Sequence, residues 1–130
     1  MSGFGSTGFV WGNEEQLRVV TRWTSGNGAA NASKVTGCTK GCASLAYNAA
    51  TGKFLLTLTD WPGDLLDVKA INHRAASSAP LIGSPVWASI DKAAKTIPIE
   101  FWDLATPSLT NPANATNIVI ELVFKRPPAA

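Results

Sequence analysis

At 130 residues the chain is the length of one domain, long enough to bury roughly two thirds of its unfolded surface in one core. Its net charge of +2, from 11 basic and 9 acidic residues, includes no basic run, the closest pairs being Arg18/Arg22, Lys92/Lys95 and Lys125/Arg126, which argues against a nucleic-acid footprint. No apolar stretch approaches the ~20 residues of a membrane span. Charged residues make up only 15% of the chain against a usual ~25%, so part of the surface is expected to be covered by a partner.

In chain order, residues 1–13 carry no charged side chain. Gly3, Gly5, Gly8 and Gly12 loosen the backbone, while Phe4, Phe9 and Trp11 supply adhesive area. This reads as an extended N-terminal arm ahead of one β domain over residues 14–130; a frayed terminus is the simpler alternative. The start lacks the basic and apolar regions of a signal peptide, so no standard secretion is expected. The sequons at Asn31 and Asn114 are then chance matches.

Leu17 to Trp23 alternates with period two and reads as a half-buried strand with Leu17, Val19, Thr21 and Trp23 on the core side. Thr24 to Gly41 is a long low-complexity loop, and Ala43 to Tyr47 a short strand. Lys53 to Thr59 is the clearest strand, with Phe54, Leu56 and Leu58 inward. Asp60-Trp-Pro-Gly-Asp64 reads as a turn, with Gly63 permitting positive φ. Leu65 to His73 resumes the strand with Leu66, Val68 and Ala70 inward; a helical turn at Asp64 to Val68 is the alternative. Ala75 to Pro85 is irregular, Val86 to Asp91 a strand, and Lys92 to Lys95 a tight turn. Thr96 to Asp103 alternates again, with Ile97, Ile99 and Phe101 inward and Pro98 marking an edge or a bulge. Ala105 to Asn117 is a loop, and Ile118 to Lys125 the last strand, with Ile118, Ile120, Leu122 and Phe124 inward. Six or seven strands with no helical period predict an all-β fold, an antiparallel β-sandwich of jelly-roll-like form with long loops.

The motifs that could carry catalysis lack their context. Gly3-Phe-Gly-Ser-Thr-Gly8 matches a dinucleotide fingerprint but has no strand before it and no helix after it. Cys38 and Cys42 share a loop, and His73 is the one histidine, too few ligands for zinc. A local disulfide and two thiols both remain open for the cysteine pair. Asp60, Asp64 and Asp67 cluster around a turn without calcium-loop spacing, and turn and cap duties explain Asp60 and Asp64. No serine has a nucleophile-elbow setting and no second histidine exists to shuttle protons. The expectation is a non-enzyme with no cofactor, metal or small-molecule substrate. Of the five tryptophans, Trp23 belongs to the core, Trp61 to a turn, and Trp87 and Trp102 to faces opposite the inward sets. With Phe4, Phe9 and Trp11, the residues Trp61, Trp87 and Trp102 are the candidate protein-interface anchors.

Two segments, Gly52-Lys-Phe-Leu-Leu-Thr-Leu-Thr-Asp60 running into Asp64-Leu-Leu-Asp-Val-Lys-Ala70, and Asn111-Pro-Ala-Asn114 followed by Asn117-Ile-Val-Ile-Glu-Leu-Val-Phe-Lys125, resemble small virion proteins of tailed bacteriophages. In particular they are similar to capsid decoration (cement) proteins. The resemblance covers about residues 43–126 and is a pattern of strands and turns, so it transfers no functional residue. It implies a homotrimer that binds a major capsid protein at local three-fold sites on the outer capsid surface, stabilises the shell, and assembles in the host cytoplasm. It implies neither nucleic acid nor membrane as partner. A tail, fibre or baseplate component, and a carbohydrate-binding β-sandwich module, are the alternatives.

Overall fold

The computed structural model describes residues 16–25, 33–34, 41–48, 50–74, 79–110, 112 and 116–126. Period-two patterning decides the architecture: the regular elements described are nine strands and one short 3-10 turn. The strands are β1 (Gln16–Thr24), β2 (Ser33–Lys34), β3 (Cys42–Asn48), β4 (Lys53–Leu58), β5 (Asp64–His73), β6 (Leu81–Pro85), β7 (Thr96–Asp103), β8 (Ser108–Leu109) and β9 (Asn117–Lys125). All pair antiparallel in one sheet of order β2-β1-β9-β5-β6-β7-β4-β3, with β8 attached to β7. The chain is all-β and antiparallel as its alternation predicts, and the sheet is continuous and curled.

The inner face of the curl is the core. β9 lies between β1 and β5, and Ile118, Ile120, Leu122 and Phe124 are buried along it. Trp23 and Thr21 on β1, Val68 and Ala70 on β5, Ile97, Ile99 and Phe101 on β7, and Phe54, Leu56 and Leu58 on β4 complete that face. Phe54 meets Phe101 edge-on at 5.7 Å between ring centroids, and Trp61 meets Phe124 edge-on at 5.6 Å. Such geometry places the positive ring edge against the negative face.

Several sequence expectations are corrected. The ladder between β5 and β9 shifts register between Leu65 and Asp67. The extra residue, Leu66, is exposed, while Leu65 packs against the core. A bulge resets the alternation, so Leu65, not Leu66, joins Val68 and Ala70 inward. The same stretch is extended rather than helical at Asp64–Val68. A second shift at Cys42/Ser44 leaves Ala43 as the extra residue and places Cys42 and Leu45 both inside.

Leu81–Pro85, expected to be irregular, is a strand between β5 and β7. Val86–Asp91, expected to be a strand, instead holds a 3-10 turn at Trp87–Ser89. Asp60–Asp64, expected to be a turn, holds no regular turn and joins two strands that are not neighbours, crossing between the two sides of the curl. Gly63 keeps an ordinary φ, and the positive-φ glycines among the described residues are Gly41 and Gly52. Gly52 closes the β3–β4 hairpin, its N–H donating to the Asn48 carbonyl at 2.8 Å.

One end of the core is polar. Asn72 is fully buried on β5, and its Nδ2 donates to Thr116 Oγ1 at 2.8 Å and to the Asn117 carbonyl at 3.2 Å. Ser25 and Thr116 exchange a backbone bond of 2.9 Å and a hydroxyl contact of 3.0 Å. These bonds tie the end of β1 to the start of β9.

Candidate protein-docking face

The outer face of the sheet carries a cross-strand row of unusual composition. Register places Arg22 opposite Val119, Val119 opposite Ile71, Ile71 opposite Ile82, Ile82 opposite Trp102, and Trp102 opposite Leu109. Val119, Ile71, Ile82 and Trp102 each alternate with a buried neighbour on their own strands, so these four face outward, and Leu109 joins them opposite Trp102. At a strand spacing of ~4.8 Å the row is about 24 Å long. Ile71, Ile82 and Val119 are half-buried, Trp102 is 37% exposed and Leu109 39% exposed. Leu104, in the turn from β7 to β8, is 66% exposed and widens the same end.

The charges beside this row are largely neutralised within the chain. Glu121 pairs with Arg18 at 3.1 Å, Glu100 with Lys53 at 3.8 Å and Asp103 with Arg74 at 3.6 Å. Such partly exposed pairs add little stability, but they lower the local field and leave the band apolar. Only Arg22 puts a charge on the row itself. Arg22, His73, Asn117 and Val119 line a shallow pocket of about 290 Å³ at that end.

The tryptophans named from sequence divide three ways. Trp102 sits in the apolar row. Trp87 is 51% exposed on the 3-10 turn, where no residue is buried. Trp61 is half-buried and packs on Phe124, so much of its ring serves the core. Phe4, Phe9 and Trp11 lie outside the described residues, and so does Cys38. Cys42 is buried at the start of β3; its pairing with Cys38 therefore also lies outside them. Ile71 faces away from Val68 and Ala70, as alternation along the strand requires. Ile82 and Leu109 carry no such signal in the sequence. Ile82 sits in a five-residue strand ending on Pro85, too short to show alternation, and Leu109 lies in a two-residue strand inside a proline-bearing loop.

A second apolar surface is concave. Leu17, Val19, Leu58, Pro62, Leu122 and Phe124 line a cleft of about 190 Å³ where β1 and β9 face the end of β4. Gly41 and Asp60 complete its rim. A neighbouring pocket of about 300 Å³ shares Leu17, Pro62 and Phe124 and reaches Gln16 and Arg126.

Two of the three carboxylates that cluster in sequence serve the backbone. Asp60 Oδ1 accepts the Trp61 N–H at 2.8 Å and Asp67 Oδ1 accepts the Val68 N–H at 2.9 Å. Among the described residues no three His, Cys, Asp or Glu side chains converge to hold a metal ion. His73 is exposed and lies opposite Asn117 in the ladder.

Comparison of the chain with protein-family models, with curated proteins and with solved structures finds no match in any of the three.

Proposed function

We propose that the chain is a structural protein of a virus particle, a decoration (cement) protein that trimerises and binds the outer surface of a tailed-bacteriophage capsid at local three-fold sites. The observation that supports this most is the apolar outer row from Val119 to Leu109, with Trp102 as its anchor. Isolated exposed apolar residues are ordinary, but a contiguous band with its flanking charges already paired suits a protein contact. The resemblance of residues 43–126 to decoration proteins supplies the partner. A subunit that binds the assembled shell and not its dissociated parts stabilises it by mass action.

The test is the location and copy number of the chain in purified particles. Many copies, near the number of local three-fold sites, agree with this reading. Copies confined to the tail would move the protein to the tail, fibre or baseplate class, and absence from particles would refute a virion role. Glycan binding that depends on Trp102, without shell binding, would place the protein among carbohydrate-binding modules.

A further inference from the structure

Three inward polar atoms at one end of the core find no hydrogen-bond partner among the described residues: Thr21 Oγ1 and Trp23 Nε1 on β1, and Asn72 Oδ1 on β5. Thr21 and Asn72 are 0% exposed and Trp23 is 1% exposed, so bulk water does not reach them. Folded chains pair nearly all of their buried polar groups, with protein atoms or with an ordered water.

Register brings the three atoms to one place. Trp23 and Asn72 both lie opposite Ile118 of β9, one from each side. Thr21 and Ala70 lie opposite Ile120 in the same way, two residues further along. With strands ~4.8 Å apart and alternate residues ~6.7 Å apart, the four residues mark a patch of roughly 10 Å by 7 Å on the inner face. The curl draws inward side chains closer together than their backbones. Ala70, at the corner diagonal to Trp23, fills its corner with only a methyl group.

The chemistry of the three atoms selects what can bind them. Asn72 Nδ2 donates to the Asn117 carbonyl, which can only accept, so the amide cannot be turned over and Oδ1 stays the acceptor without a partner. Trp23 Nε1 can only donate, while the Thr21 hydroxyl can do either. A direct bond from Trp23 to Asn72 would leave Thr21 unpaired. A cation would meet the indole N–H, and an anion would meet Asn72 Oδ1. A small neutral molecule that both donates and accepts satisfies all three. We propose that Thr21, Trp23 and Asn72 hold one internal water molecule, which accepts from Trp23 Nε1, donates to Asn72 Oδ1 and bonds the Thr21 hydroxyl. Three bonds is the usual number for a buried water. Arg22, Val119 and Ile71 lie on the opposite face of the same three strands, between these two ranks. The water therefore ties β1 to β5 across β9, directly behind that end of the apolar outer row.

This assignment does not depend on a virion role, so it is tested by nuclear magnetic resonance on the purified full chain with isotope-labelled tryptophan. The Trp23 indole N–H should exchange slowly with deuterium and yet show a dipolar cross-peak at the water frequency. The cross-peak should survive, weakened, in Thr21→Val, which keeps the shape of threonine but has no hydroxyl to relay the signal. Relaxation dispersion of the water oxygen reads long-lived internal molecules directly. It should fall by one molecule between the parent and the double variant Thr21→Val/Trp23→Phe, whose fold is checked by its amide spectrum. A parent indole without the cross-peak, complete loss of the cross-peak in Thr21→Val, or an unchanged oxygen dispersion in the folded double variant overturns the assignment.

Discussion

The Pro98 carbonyl accepts the Val86 N–H at 2.9 Å, but Pro98 has no N–H to return to the Val86 carbonyl. That carbonyl instead accepts the Ser89 N–H at 2.9 Å, closing the 3-10 turn that carries Trp87. One missing donor thus ends the β6–β7 ladder and starts the turn. Pro98→Ala supplies a competing N–H. Hydrogen exchange at the Ser89 amide should accelerate, while global stability falls by no more than ~1 kcal/mol, the usual effect of releasing a compatible proline. Unchanged Ser89 protection would show that the turn forms independently of the proline.

Gly83 sits in the ladder between Ala70 and Phe101. A Cβ there would lie 2.5 Å from the Ala70 Cβ and 2.9 Å from Phe101 Cε1. Gly83→Ala should therefore destabilise the fold by about 1–3 kcal/mol, as overpacking does in tight cores. Urea denaturation measures the loss, and adding Ala70→Gly should recover part of it, since the two sites are in contact.

Asn72 is a buried amide whose Nδ2 serves Thr116 and the Asn117 carbonyl. Asn72→Ala removes both bonds, one to Thr116 Oγ1, which keeps its contact with Ser25 Oγ, and one to the carbonyl of exposed Asn117. The expected loss is about 1–2 kcal/mol, the net worth of two ordinary hydrogen bonds. Amide exchange at Asn117 and Ile118 should rise more than at Phe124, at the far end of β9, because the polar tie lies at this end. Uniform acceleration along β9 would locate the effect in global stability alone.

The outer row separates binding from folding. Trp102→Ser with Leu109→Ser removes two partly exposed, directly opposed side chains. The melting temperature should fall only by a few degrees, on the order of 1 kcal/mol for a domain of this size. Occupancy on capsids, read by co-sedimentation, should fall at least tenfold, as for a central aromatic anchor. Full occupancy with the double variant would move the docking surface elsewhere on the domain.

Strand patterning was legible wherever alternation ran unbroken for long enough. The inward sets of β4, β7 and β9, and Trp23 as a core residue, follow from period two alone, because only one phase of each strand buries its apolar residues. The same logic failed at Leu66, where an inserted residue shifts the phase and leaves no compositional mark. It failed again at Ile82 and Leu109, whose strands are too short to display a period. Pro98 predicts an edge or a bulge, whereas β7 lies inside the sheet between β6 and β4 with no register shift at Pro98; the missing N–H is accommodated because the ladder with β6 ends there, which depends on the neighbour that lies on that side.

By itself the sequence determined an all-β chain with a charge-poor surface, since alternation and composition are local properties. Only the tertiary structure decided which outward residues become neighbours. Val119, Ile71, Ile82, Trp102 and Leu109 are far apart along the chain and join in one row because antiparallel register brings them together. The place of β9 between β1 and β5 is likewise a property of strand order: whether a strand lies inside the sheet or at its margin is set by its partners, not by its own residues.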